Sequence, residues 1–320
     1  MSPENAEGME GSTDLKIVFM GTAGFAVPSL EQLIEHGFVP VAVVTSPDRP
    51  KGRGQKVRYT PIKEAAIRLG IEQIIQPEDV KSPSFAEEIA SIEPDIIVVV
   101  AFKILPPAVY TTAKRGAFNL HGSLLPLFRG AAPINRAVMA GATETGVTTF
   151  FLEQKVDTGN VILQRSMPIG EDESAGEVHD RMMILGAEAV VETTKRIAEG
   201  RVETSQQDNR LATSAPKIFK EDCKIDWSQP AKDVHDHIRG LSPYPGAWTT
   251  HQGKQVKIYT SQVIEGEGNA GEILGVNNSV QVACEEGALN ILELQLESRK
   301  KMTASDFVRG YEIQKGDLFE

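Results

Sequence analysis

Asn119 and His121 stand two residues apart in Phe118-Asn119-Leu120-His121-Gly122-Ser123-Leu124-Leu125-Pro126, and Val156-Asp157-Thr158-Gly159 follows about thirty-five residues later. The first stretch reads as the end of a buried strand that tips into a tight loop. On an extended backbone, positions i and i+2 leave the same face, so the amide and the imidazole point into one crevice. Asn supplies a fixed hydrogen-bond donor, and His donates or carries a proton, which together are the means to polarise a carbonyl. An aspartate arriving from a separate loop can hold the imidazole or take a proton. Alone, each residue reads as a turn or cap residue. Asn-x-His before Ser-Leu-Leu-Pro, answered by Asp-x-Gly, is a constellation.

The elements that must position them follow the grammar of a doubly wound α/β domain. Leu15–Met20 is an apolar strand that ends in Gly21-Thr22-Ala23-Gly24, with a helix expected from about Phe25 to Gly37. The turn is not a GxGxxG. Val39–Thr45 is the second strand, Pro61–Leu69 a helix, Glu72–Gln76 a short strand and Ser84–Ile92 a helix. Ile96–Ala101 is an unbroken, mostly β-branched run of the kind found in central parallel strands. Phe102 to Pro106, including Ile104, then fall at its carboxyl end, where open α/β sheets bind ligands. Val147–Leu152 and Val161–Ile169 flank the Asp157 loop, and a long helix runs from about Ala175 to Glu199. Residues 201–214 are polar and patternless and read as a linker. Beyond them, strand-length segments at 256–259, 272–276, 280–283 and 289–296 suggest a small β-barrel.

At 320 residues the chain has room for two domains. The net charge of −11 argues against nonspecific nucleic-acid binding over the whole surface, yet one loop is strongly basic. Ser46 to Arg58 carries Arg49, Lys51, Arg53, Lys56 and Arg58 against Asp48 alone, with glycines either side of Arg53. Such a loop is a candidate phosphate contact, as is the edge formed by Lys217, Lys220 and Lys224; both also read as solvated surface. No apolar run reaches membrane-spanning length, and residues 1–13 read as a disordered extension without a targeting pattern. Two cysteines, Cys223 and Cys284, build neither a disulfide framework nor a four-cysteine zinc site and read as packing residues. The cytoplasm is the default compartment and a monomer the expected state.

On Ser46–Gly54, Asn119–Pro126, Arg129-Gly130-Ala131-Ala132-Pro133-Ile134, Gly146–Thr149, Asp157-Thr158-Gly159, Ile225–Ser228 and Pro243–Thr249, the chain resembles the methionyl-tRNA formyltransferase family from Lys16 to about Asp317. The resemblance implies a Rossmann-like formyltransferase catalytic domain over 14–200, a linker over 201–220, and a C-terminal OB-like tRNA-binding domain over 221–320. It implies Asn119, His121 and Asp157 as catalytic residues and 10-formyltetrahydrofolate as co-substrate, with no metal. Ser123, Leu124, Leu125, Pro126, Phe102 and Ile104 would line the folate side. The basic loop, Lys217 and Lys220 would meet methionyl-initiator tRNA. Gly24, Phe102-Lys103 and Asn160 depart from the family pattern. The Asn-His-Asp set alone specifies only the wider group of formyltetrahydrofolate-using enzymes, which includes glycinamide ribonucleotide formyltransferase and formyltetrahydrofolate hydrolase; the hydrolase and a nucleotide-sugar formyltransferase stand as alternatives. A non-catalytic RNA-binding module built on the barrel is a further one.

Overall fold

The computed structural model describes residues 15–51 and 56–320, with side chains outside 50–57. The extension expected over 1–13 and Arg53 lie outside the described residues, as do the side chains of Lys51 and Lys56. The chain divides into two compact units, each drawn from separate segments. Of the described residues, the first comprises those up to Arg129 with Gly146–Ser166 and Asp180–Thr213, and the second Gly130–Thr145, Met167–His179 and Ser214–Glu320.

The first unit is built on a seven-stranded sheet of β1 (Ile17–Gly21), β2 (Ala42–Val44), β3 (Ile74–Ile75), β4 (Ile96–Val100), β5 (Ala117–His121), β6 (Glu144–Phe151) and β7 (Val161–Pro168). The order is β7-β6-β5-β4-β1-β2-β3. β1 runs parallel to β2 and β4, β4 parallel to β5, and β6 antiparallel to β5. Winding therefore proceeds in opposite directions from β1, which makes the carboxyl ends of β1 and β4 a topological switch point. β1 and β4 are buried at every position, as expected of strands covered on both faces. Val18, Met20, Ile97 and Val99 pack on one side with Phe85 and Ile89 of the helix Pro83–Ile92. That helix and Pro61–Arg68 each begin with a hydroxyl cap followed by proline, Ser82-Pro83 and Thr60-Pro61.

The long helix Ala175–Ala198 lies close over β5. A Cβ at Gly186 would come within 2.7 Å of a methyl of Leu120, so glycine sets the approach. Thr193 of the same helix shares a buried hydroxyl hydrogen bond of 2.7 Å with Thr149 on β6.

The second unit carries an antiparallel sheet of β8 (Ala247–His251), β9 (Lys254–Ile264), β10 (Ile273–Val276), β11 (Val280–Ala283), β12 (Ala288–Leu296) and β13 (Met302–Thr303). The hydrogen-bonded path is β8-β9-β12-β11-β10, with β13 on β12. The barrel suggested by the sequence is thus seen as a sheet, and no strand pairing that would close it is observed among the described residues. The C-terminal tail bonds to both ends of this path: Thr250 and Glu320 exchange two backbone bonds of 2.9 Å, and Phe319 N donates to the Gly271 carbonyl at 2.8 Å. The helix Ala231–Gly240 buries Ala231, Val234, His235 and Ile238 on one stripe. Both cysteines are buried in this unit, and burial pushes the Cys284 thiol up to about 12. Among the described residues no helix is long and apolar enough to cross a membrane.

Candidate active site

Asn119 and His121 occupy the last three positions of β5 with Leu120 between them, so both project from one face at the carboxyl end of the sheet. Asn119 lies opposite Val99 on one side and Phe150 on the other, and His121 lies opposite Thr148. Past His121 the chain folds into a turn held by its own polar groups. Ser123 Oγ donates to the Leu127 carbonyl at 2.6 Å, and Thr148 Oγ1 donates to the Ser123 carbonyl at 2.7 Å while accepting from Leu125 N at 3.0 Å. Gln164 Nε2 adds bonds to the Leu125 carbonyl and to Thr148 Oγ1, of 2.8 and 3.0 Å.

The turn ends at Phe128, whose φ of +55° is the left-handed region that side chains seldom adopt. Its carbonyl lies 2.9 Å from His121 Nε2. A carbonyl only accepts, so Nε2 must carry a proton there, and the tautomer follows from the partner. Nδ1 then faces Asp157, whose Oδ2 is 3.9 Å away. The imidazole and carboxylate are 6% and 11% exposed, so a proton taken up on Nδ1 would meet a carboxylate little screened by water. At 3.9 Å they are an ion-pair distance apart but beyond a hydrogen bond. Asp157 itself has φ +56°.

Residues 205–213, read from the sequence as linker, form a strap around this arrangement. Ser205 and Val161 exchange backbone bonds of 2.9 and 2.8 Å. Gln207 Nε2 donates to the Gly159 and Asp157 carbonyls at 2.8 and 3.1 Å, and its Oε1 accepts from Arg129 Nη2 and Nε at 2.6 and 3.1 Å. Thr213 accepts Phe128 N on its hydroxyl at 2.8 Å and Arg129 N on its carbonyl at 2.9 Å. Sequence reasoning missed these residues because a strap that bonds side chain to backbone over long separations leaves no periodicity.

Ser123 and Leu125 are buried, while Leu124 and Pro126 are half-buried. Phe102 packs partly buried against the core of the first unit, and Ile104 is 67% exposed.

The basic loop starts and ends as a two-stranded ribbon with Arg49 opposite Arg58 and Lys51 opposite Lys56. Asp48, its lone acid, is held by Lys63 and Gln76, and the Lys63 hydrogen bond keeps its carboxyl below the usual range. In the second unit, Lys220 and Lys224 each place Nζ 5.9 Å from the Trp248 ring, and Lys217 lies 5.5 Å from Phe219, an exposed aromatic. Trp248 Nε1 donates to the Lys220 carbonyl at 3.0 Å.

A doubly wound sheet with an Asn-x-His strand end facing an Asp-x-Gly loop defines a class. The chain belongs to the formyl transferase family, whose model matches residues 15–194, and the formyl transferase C-terminal domain matches residues 217–312. The chain is 48% identical over 315 residues to the methionyl-tRNA formyltransferase of Chlorobium phaeovibrioides, which covers 96% of this chain and 98% of that one. It is 47% identical over 308 residues to that of Citrifermentans bemidjiense, 96% of each. Within the family it therefore sits among the methionyl-tRNA formyltransferases. Its fold is similar to an N-formyltransferase from Helicobacter canadensis solved in complex with folinic acid and dTDP-3-aminofucose (TM-score 0.68, 19% identity, 90% of this chain and 100% of that one).

Proposed function

We propose that this chain transfers the formyl group of 10-formyltetrahydrofolate to the α-amino group of methionyl-initiator tRNA. The observation that carries the reading is the placement of Asp157 Oδ2 3.9 Å from His121 Nδ1, with Asn119 on the same strand face, in a chain so similar to enzymes of that name. The amine attacks the formyl carbon, the bond from that carbon to N10 of the folate breaks, the amine loses a proton and N10 gains one. Charge develops on the formyl oxygen, and the Asn119 amide donates to it; losing one such donor typically costs on the order of a hundred- to a thousand-fold in rate. His121 is expected from the sequence either to share that donation or to carry the proton. With its Nε2 proton on the Phe128 carbonyl, its working edge is Nδ1, and we assign that nitrogen to take the amine's proton in front of the Asp157 carboxylate. The residues from Ser123 to Pro126, with Phe102 and Ile104, take the folate.

The basic ribbon and the lysine–aromatic face take the nucleic acid. Like charges directly opposite on a ribbon repel, so the Arg49–Arg58 pairing is a local cost that a phosphate backbone relieves. All three catalytic side chains come from one chain, and on this reading it works as a monomer in the cytoplasm. The test is formyl transfer to methionylated initiator tRNA by Asn119→Ala, His121→Ala and Asp157→Ala, made singly. Near-normal turnover by all three folded variants refutes the assignment, and formate release without tRNA favours a hydrolase.

A further inference from the structure

We propose that Gln207 is a positioning residue for formyl transfer, holding the Asp157 loop at its working distance from His121. The proposal rests on the reading of Asp157 and His121 given above and names the residue that sets their geometry. Gln207 is 7% exposed and lies on a strap without regular structure, where a buried amide needs its partners. It has them all. Both N–H groups are used on the Asp157 and Gly159 carbonyls, and the oxygen is used on two N–H groups of Arg129. The amide can take one orientation only, because turning it over would set its oxygen against two carbonyls and its NH2 against a guanidinium.

What the amide holds is consequential. Its two donors pin the backbone on either side of Thr158, where Asp157 is kept at φ +56°, a conformation that persists only when its surroundings enforce it. Its acceptor holds Arg129, the residue after Phe128, and the Phe128 carbonyl is what fixes His121 Nε2. One side chain thus ties the loop of the carboxylate to the tether of the imidazole. Because the two groups stand at 3.9 Å, a small drift of the loop changes their interaction steeply.

Gln207→Glu separates the two ends. The carboxylate still accepts from Arg129, with added charge attraction, but has no proton to offer the Asp157 and Gly159 carbonyls. The expected result is a fall in kcat of about tenfold or more, with the Michaelis constant for the folate substrate moved less than about threefold, in protein that melts lower than wild type but is folded at the assay temperature. The same substitution in an Asp157→Asn background should cost less than about twofold, because a residue that acts through Asp157 has nothing left to position. If the buried carboxylate prevents folding, Gln207→Met, uncharged and matched in length, releases both ends, and its loss of kcat should still be at least about threefold smaller in the Asp157→Asn background than in wild type. A kcat within about twofold of wild type, or an equal loss in both backgrounds, overturns the proposal. Normal turnover by Asp157→Asn alone would instead overturn the reading on which it rests.

Discussion

Gly159→Ala tests whether the Asp157 loop must sit where it does. A Cβ at Gly159 would lie 1.7 Å from the Phe151 carbonyl oxygen, 2.9 Å from its carbon and 3.3 Å from a ring carbon of Phe150. Contacts below 3.0 Å are not sustained, so loop and strand must part by about 1.3 Å, the step from 1.7 to 3.0 Å. Both ways of parting reach the site. If the loop moves, the bonds from Gln207 to the Gly159 and Asp157 carbonyls stretch and the 3.9 Å separation from His121 opens. If the strand moves, Phe150 shifts, and Phe150 is the residue opposite Asn119. A misplacement of about 1 Å in a reacting constellation can cost on the order of a hundredfold, or about 2.7 kcal/mol in the barrier. Overpacking of this kind costs about 1–3 kcal/mol in stability as well. The assay is single-turnover formyl transfer at saturating substrate, with thermal melting alongside. Gly24→Ala is the control, since nothing lies within 4 Å of its Cβ. Transfer by Gly159→Ala within about threefold of wild type would refute the claim that this loop is held to sub-ångström tolerance.

Removing both charges in Arg49→Ala with Arg58→Ala should raise the Michaelis constant for tRNA about tenfold or more, leave kcat unchanged, and reduce the salt slope of binding by about 2; an unchanged slope counts against the ribbon as a phosphate contact. Burial holds His235 below its ordinary value of 6.5, outweighing its bond to the Glu171 carbonyl and the nearby Asp172 carboxylate. The unfolded chain therefore binds the proton first. Stability is fully present above about pH 6.5 and falls below it, at up to about 1.4 kcal/mol per pH unit for one proton. Urea unfolding of His235→Gln between neutral pH and pH ~5.5 should show a shallower fall than wild type, and identical slopes would exclude His235 as the cause. Phe319 is 4% exposed and stacks on Trp227 at 5.9 Å, so Phe319→Ala should cost about 3–5 kcal/mol and lower the melting temperature by on the order of 10 °C.

That Asn119 and His121 share one strand face was legible because its logic is local. Two residues apart on a strand means one face, and a β-branched run such as Ile96–Val100 announces the central strand beside it. Boundaries moved where local signals compete. The helix expected from Phe25 opens with a 3-10 turn over Gly24–Ala26 and becomes α-helical at Val27. The strand Ala247–His251 was hidden behind Pro243, Pro245 and Gly246, whose turn chemistry dominates that stretch of sequence, and the helix Ala304–Gly310 was not expected. What the sequence did not disclose was how the site is held. Phe128, Gln207 and Thr213 act across separations that no periodic pattern spans.

Those holding contacts share a chemical form that explains why they escaped notice. The imidazole is fixed by the Phe128 carbonyl, and the carboxylate's loop by the carbonyls of Asp157 and Gly159. A carbonyl is present at every residue, so its importance leaves no mark on the side chain that bears it. The mark falls instead on conformation, in the positive φ of Phe128 and Asp157, and on the donor that reaches in from elsewhere. Backbone acceptors cannot change rotamer, and they lose less freedom on ordering than side chains would. A site with its acceptors in the main chain and its donors in His121 and Gln207 is therefore set by folding itself, before any substrate arrives.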